Sequence, residues 1–113
     1  MKEIKAIIRP AKLLEVTEEL HAIDGLPGVT VSEIKGFGKS RAQNAQDKIV
    51  YEMVELVPLI QLEVVVDEDM VEKVVSVIRK HAHTGTAGDG KIFVSTVDDI
   101  IKIRTNERGR AAI

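Results

Sequence analysis

The stretch IQLEVVVDEDMVEKVVSVIRK, residues 60–80, changes its hydrophobic period half way along. Ile60, Leu62, Val64 and Val66 recur every second residue, which places them on one face of a strand. Val71, Val74, Val75 and Ile78 then recur at the spacing of one face of an amphipathic helix. Between the two patterns stand Asp67, Glu68 and Asp69. Asp67 suits a helix N-cap, and the two acids after it complement the positive end of the helix dipole. The stretch therefore reads as a strand feeding a helix, with the helix ending near Lys80 and His81.

The same unit opens the chain. Residues 2–9 alternate, with Ile4, Ala6 and Ile8 on one face. Pro10 ends this strand and suits the first turn of a helix. Leu13, Val16, Leu20 and Ile23 follow at helical spacing, with Glu15, Glu18 and Glu19 between them. Asp24-Gly25 and Pro27-Gly28 punctuate a turn. Residues 29–35 are rich in β-branched side chains and predict a second strand, closed by Gly36-Phe37-Gly38. Residues 92–97 read as the last strand and 101–104 as a short extended tail. The order β-α-β-β-α-β predicts an α+β, ferredoxin-like sandwich with both helices on one side of the sheet. Such a sheet has a bare second face, so a homo-oligomer is expected.

Residues 39–49, KSRAQNAQDKI, carry neither a helical stripe nor strict alternation. They predict an exposed, flexible loop, and structureless loops of this length in compact domains serve function or are disordered. Residues 50–57 read as a loop arm or a short strand. The whole chain, 1–113, fits one domain with one core, carrying a long loop at about 39–57.

Composition narrows the function classes. A formal net charge of −2 argues against a general nucleic-acid binder, which carries a basic excess. Phe37, Tyr51 and Phe93 are the only aromatics, too few for a base-stacking platform. Cysteine is absent, which excludes disulfides and thiolate metal sites. Lys5 and Arg9 interrupt the apolar run of MKEIKAIIRP, so it reads as neither a signal peptide nor a membrane span, and a cytoplasmic location is expected.

Few local motifs carry chemistry. Thr84-Gly85-Thr86-Ala87-Gly88-Asp89-Gly90-Lys91 has the GxxxxGK spacing of a P-loop, but Ile92 stands where a magnesium-binding hydroxyl belongs. The segment also leads from helix to strand, the reverse of a P-loop, so a P-loop NTPase is rejected. A phosphate-binding loop of another kind and a plain helix-to-strand turn both remain open. Lys102 and Arg104 would share one face of an extended tail, either as a polyphosphate clamp or as the solvated cations of an edge strand. Gly36 and Gly38 could allow a ligand close to the backbone, or could mark a simple turn. Glu63 faces away from the Ile60–Leu62–Val64 row, toward a ligand hydroxyl or a neighbouring subunit. His81 and His83 form one poor metal cluster. His21 reads as a surface residue. No Ser-His-Asp set or catalytic carboxylate pair is present.

Taken together, MKEIKAIIRPAKLLEV, GVTVSEIKGFGK, TGTAGDGKIFVSTV and IIKIRTNERGRAAI resemble the PII nitrogen-regulatory family, in its order of motifs and over nearly the whole chain. The resemblance implies a ferredoxin-like homotrimer, non-enzymatic, with ATP or ADP bound in the clefts between subunits and Mg2+ as a possible companion. It implies that Ile7, Gly28, Thr30 and Val65 hold the adenine. Glu63 matches the ribose-side acid. Gly36, Phe37, Gly38 and Lys39 match the base of the signalling loop. Gly88, Asp89, Gly90 and Lys91 match the phosphate loop, and Lys102 and Arg104 match two cationic phosphate ligands. A partner protein, for example a membrane transporter, an enzyme or a regulator, would read the loop.

Three departures qualify that comparison. Ser40 stands where the family has a glutamine bridging magnesium and 2-oxoglutarate. Leu59 replaces the lysine that pairs with a 2-oxoglutarate carboxylate, so sensing of that metabolite is not expected. The modifiable tyrosine aligns with Glu52, while Tyr51 is displaced by one; Ser40 and Tyr51 are thus the candidates for loop modification or signalling. The Leu-Pro-Gly-Val-Thr turn and altered loop are similar to divergent PII subgroups found beside transport systems, including metal-efflux pumps. Two rival readings accompany the sensor: a slow ATPase acting as a timer, and a small trimeric metal-binding module.

Overall fold

The structure is a computed structural model and describes residues 1–38 and 55–113. Four strands form one antiparallel sheet: β1 (Lys2–Ile8), β2 (Thr30–Gly36), β3 (Val57–Val66) and β4 (Lys91–Thr96), in the order β2-β3-β1-β4. Helix α1 (Leu13–His21) joins β1 to β2, and α2 (Val71–Ala82) joins β3 to β4. This is the expected split β-α-β arrangement.

The registers explain why these strands sit where they do. Ile4 faces Val64, Ala6 faces Leu62 and Ile8 faces Ile60 across β1 and β3, so the two alternating rows fall on the same side of the sheet. Val16, Leu20 and Ile23 from the first helical segment and Val74, Ile78 and Ala82 from α2 pack onto them, giving one continuous apolar core. Both helices begin with a 3₁₀ turn, Pro10–Lys12 before α1 and Glu68–Met70 before α2. Pro10 supplies the fixed φ that such a turn needs and lacks only an N–H that would have no helical partner there. His81 ties the helices together: its Nδ1 lies 2.8 Å from Glu15 and its Nε2 3.7 Å from Glu19.

On the other face of the sheet stand Lys5, Ile7, Thr30, Gln61, Glu63, Val65, Lys91 and Phe93, none of them covered by a helix. β4 is poorly covered on both sides, with Phe93 and Val94 each 48% exposed. No helix among the described residues is long and apolar enough to cross a membrane.

Several expectations need correcting. Asp67 is not a side-chain N-cap. Its backbone carbonyl accepts from Met70 N–H, while its carboxylate accepts two hydrogen bonds from Arg110. A bidentate guanidinium is a stronger partner for a carboxylate than a single backbone N–H. β3 begins at Val57, and Pro58 lies inside it, opposite Lys35. This is tolerated because β1 pairs only from Ile60 onward, leaving the proline bonded on one side. Residues 101–104 are not an extended tail. Ile101 bridges Arg108, Lys102 N–H donates to Glu107 O at 2.9 Å, and Asn106 N–H donates to Lys102 O at 2.7 Å. Asn106 sits at φ 62, a conformation its short polar side chain tolerates. The segment is a hairpin-like turn, so Lys102 and Arg104 do not share a strand face.

Candidate functional site

The loop between α2 and β4 is built around Asp89. Its carboxylate accepts from Thr84 N–H at 2.8 Å, Gly85 N–H at 2.9 Å, the Thr84 hydroxyl, and Arg9 Nε at 3.1 Å. These donors hold the carboxyl well below the usual carboxylate range, the Thr84 hydroxyl most of all. Arg9 also donates from Nη2 to the Thr86 hydroxyl at 2.9 Å and to Ala87 O at 2.6 Å. One arginine at the end of β1 thus staples a loop some 80 residues further on.

Gly88 and Gly90 adopt φ 97 and 99, which only glycine adopts without strain. At Gly90 space is decisive as well: a Cβ would overlap the Ile7 carbonyl oxygen. The loop therefore runs directly over the end of β1 and delivers Lys91 opposite Ile7.

This loop forms one side of a cleft of about 850 Å³. The other side is the end of β2 and the start of β3, including Gly36, Phe37, Gly38 and Leu59. Gly36, Phe37 and Gly38 thus face Gly88, Gly90 and Lys91 across one cleft, and Ile7 lies between them. Asp89 is not aimed into this cleft, because its carboxylate is consumed inside the loop. Lys39, Ser40 and Tyr51 lie outside the described residues.

The remaining candidates are elsewhere. Gly28, Thr30, Glu63 and Val65 line a second cleft of about 310 Å³, with Ile100, Ala112 and Ile113 on its far wall. Glu63 accepts from Gln61 Nε2 at 2.6 Å, which orients it on the open face. Ile7, grouped with Gly28, Thr30 and Val65 by the family resemblance, lines the first cleft of the same chain and not this one. The register requires this: Val65 pairs with Glu3 near the start of β1, and Ile7 pairs with Gln61 near its end. Four residues of strand, about 13 Å, separate the two positions. Lys102 and Arg104 stand in the turn between Ile101 and Arg108, where Lys102 Nζ lies 3.8 Å from Glu107. Within one chain the candidate residues thus fall into two separate clefts and a pair of cations.

The sequence reading missed Arg9, Gln61 and the C-terminal wall. Arg9 was visible only as a charge before a proline, which carries no signal of a loop staple. Among the described residues no cluster of three or more His, Cys, Asp or Glu is arranged to hold a metal ion. His81 is engaged by Glu15 and Glu19, and His83 is exposed.

Comparison with known proteins gives a consistent result. The family profile described as "Nitrogen regulatory protein P-II" matches residues 1–107. The nitrogen regulatory protein P-II of Azospirillum brasilense is 44% identical over 113 residues, covering all of both chains. The corresponding protein of Rhizobium meliloti is 46% identical over the same length, and P-II 1 of Escherichia coli 44%. A crystal structure of Arabidopsis thaliana PII bound to citrate superposes with a TM-score of 0.79 at 39% identity, covering 99% of this chain and 91% of the other.

Proposed function

Since this chain belongs to the nitrogen regulatory protein P-II family, a family of signal-transduction regulators, we propose that it is a homotrimeric, non-enzymatic sensor of ATP and ADP that controls a partner protein through residues 39–57. The whole chain acts as one regulatory domain in this reading, in the cytoplasm.

The observation that carries it is the first cleft. A glycine-rich loop followed by Lys91 faces Gly36, Phe37 and Gly38, which lead directly into the proposed signalling loop. Backbone without side-chain bulk beside a cation suits an anionic phosphate chain. A ligand whose phosphates differ between two states makes different contacts with that junction, and such differential contact is what shifts a loop between conformations.

The separation of the two clefts within one chain supports the trimer. The Gly28–Thr30–Glu63–Val65 cleft would take the nucleoside from one subunit, and the Gly88–Gly90–Lys91 cleft its phosphates from the next. Lys102 and Arg104, on a projecting turn, would reach the phosphates across that boundary. The uncovered sheet face and poorly covered β4 provide the surface for such an assembly. Mg2+ would accompany ATP through its phosphates.

The Arabidopsis relative is bound to citrate, so a polycarboxylate belongs in the test. Leu59 offers no charge to such a ligand, and 2-oxoglutarate is accordingly not expected to assist nucleotide binding.

Calorimetric titration with ATP, ADP and AMP, with and without Mg2+, citrate and 2-oxoglutarate, tests this reading, alongside sedimentation analysis. Binding of ATP and ADP to a trimer is expected. A protein that binds neither nucleotide, or binds them as a monomer, would overturn it.

A further inference from the structure

The outward side of α2 carries a row of cations that neither cleft uses. Ser76, Arg79, Lys80 and His83 line one shallow recess of about 360 Å³. Their spacing of three, four and seven residues puts them on one side of the helix, and Lys73, one turn before Ser76, continues the row. All five residues are exposed.

These cations have no partner of their own. Arg9, Lys102, Arg108 and Arg110 each stand against a carboxylate. Among the described residues, the side chains of Lys73, Arg79, Lys80 and His83 make no hydrogen bond or ion pair. The nearby acids are placed elsewhere. Glu15 and Glu19 of α1 are turned onto His81, between the two helices. Glu68, Asp69 and Glu72 stand at the start of α2, where they complement its dipole. The dipole also favours cations in the last turn, but its effect fades within that turn and does not account for Lys73.

Charge is thus sorted across the helix layer. α1 exposes Glu15, Glu18 and Glu19, while α2 exposes Lys73, Arg79 and Lys80. The cationic row runs from Lys73 to His83, about 15 Å along the helix. That is the length of about five residues of extended chain. A compact anion would meet only part of it. A nucleic acid would also meet the acids of α1 on a chain whose formal net charge is −2.

We infer that the outward face of α2 docks an acidic peptide segment of a partner protein. Arg79 and Lys80 supply the central charge, Lys73 and His83 mark the two ends, and the Ser76 hydroxyl donates to a carboxylate between them. The acids of α1 repel the same segment from the neighbouring helix, which fixes where it lies. The face lies on the opposite side of the sheet from the uncovered strands, and none of its residues lines either cleft. Docking here is therefore expected with or without nucleotide.

The test uses fluorescence anisotropy of a labelled hexaglutamate peptide on the full chain, at low and high salt. Four proteins are compared: the wild type, Arg79→Glu/Lys80→Glu, the milder Arg79→Gln/Lys80→Gln, and Lys102→Glu/Arg104→Glu, which changes net charge as much as the first variant but on another surface. Thermal melting checks folding. The wild type is expected to bind the peptide at low salt and to release it as salt rises. Charge reversal at Arg79 and Lys80 should weaken binding about ten-fold or more, and neutralisation about three-fold. The Lys102/Arg104 variant should bind like the wild type. Equal losses in the two charge-reversed variants would overturn the inference, since net charge alone would then explain binding. A wild type that does not bind the peptide at low salt would overturn it directly. Tighter binding of a DNA duplex, lost in the same Arg79/Lys80 variants, would overturn it in favour of a nucleic-acid partner.

Discussion

Gly90 lies so close to Ile7 that a Cβ at position 90 would overlap the Ile7 carbonyl oxygen. Its φ of 99 excludes ordinary side chains independently. Gly90→Ala must therefore push β4 away from β1 where Lys91 pairs with Ile7. Overpacking costs about 1–3 kcal/mol and left-handed strain a similar amount. A fall in Tm of about 10 °C or more is expected by differential scanning calorimetry. A variant melting like the wild type would show that the loop can move aside freely.

Asp89 gives the loop a pH signature. Its folded carboxyl is held below the ordinary range by Thr84, Gly85 and Arg9. A depressed carboxylate stabilises the fold fully above its unfolded pKa, about 4, and loses that contribution as pH falls toward the folded value. Loop order should thus persist through neutral and mildly acidic pH and weaken only below about pH 4. Asp89→Asn should abolish this dependence and weaken ATP about ten-fold, read by amide exchange at Thr84 and Gly85 together with calorimetry. Unchanged exchange in the variant would contradict the role assigned to the carboxylate.

Arg9 has no substitute of equal geometry. It serves Asp89, Thr86 and Ala87 at once. Lysine keeps the charge but loses the planar fork. Arg9→Lys should recover less than half of the ATP affinity lost in Arg9→Ala, a comparison that equilibrium titration of the two variants decides.

Lys91 lines the first cleft together with two other cations, Arg9 and Lys35. Lys91→Ala should weaken ATP about ten-fold or more and AMP much less, because a charge-assisted contact to a phosphate chain is worth about 1.5–3 kcal/mol. Raising salt should narrow the gap between wild type and variant. Equal losses for ATP and AMP would place Lys91 away from the outer phosphates.

Leu59 lines the same cleft, its Cδ1 3.6 Å from where a Cβ at Gly36 would stand. Adding 2-oxoglutarate to ATP-bound wild type should leave ATP affinity unchanged. Leu59→Lys should introduce a positive coupling, about ten-fold if the new ammonium meets a carboxylate. Strong synergy in the wild type would reverse this reading of the position.

Much of the fold was legible from pattern alone. The period-two rows of β1 and β3 and the helical stripes at Val16–Leu20 and Val74–Ile78 are local signals, and they fell on one core. The tail at 101–104 was misread because Ile101 and Ile103 alternate as a strand would. Yet Ile103 is fully exposed, and the chain turns there, held by backbone bonds from Lys102 to Glu107 and Asn106. Asp67 was misread for the opposite reason. Its position matches an N-cap, but a better partner arrives from 43 residues away. The candidate site was legible as a set of residues and not as an arrangement: Ile7 and Val65 were grouped together, and only the register separates them.

The sequence by itself determined the elements and their order, because hydrophobic period and turn chemistry act over a few residues and need no knowledge of the chain path. It also marked the residues with unusual freedom or charge, among them Gly88, Gly90, Lys91 and Glu63. Tertiary structure alone decided which of them meet. The Arg9 staple on Asp89 and the Arg110 fork on Asp67 join groups far apart in the chain, and the candidate residues divide between two clefts. Such pairings depend on sheet order and register, which the packing of the whole core selects.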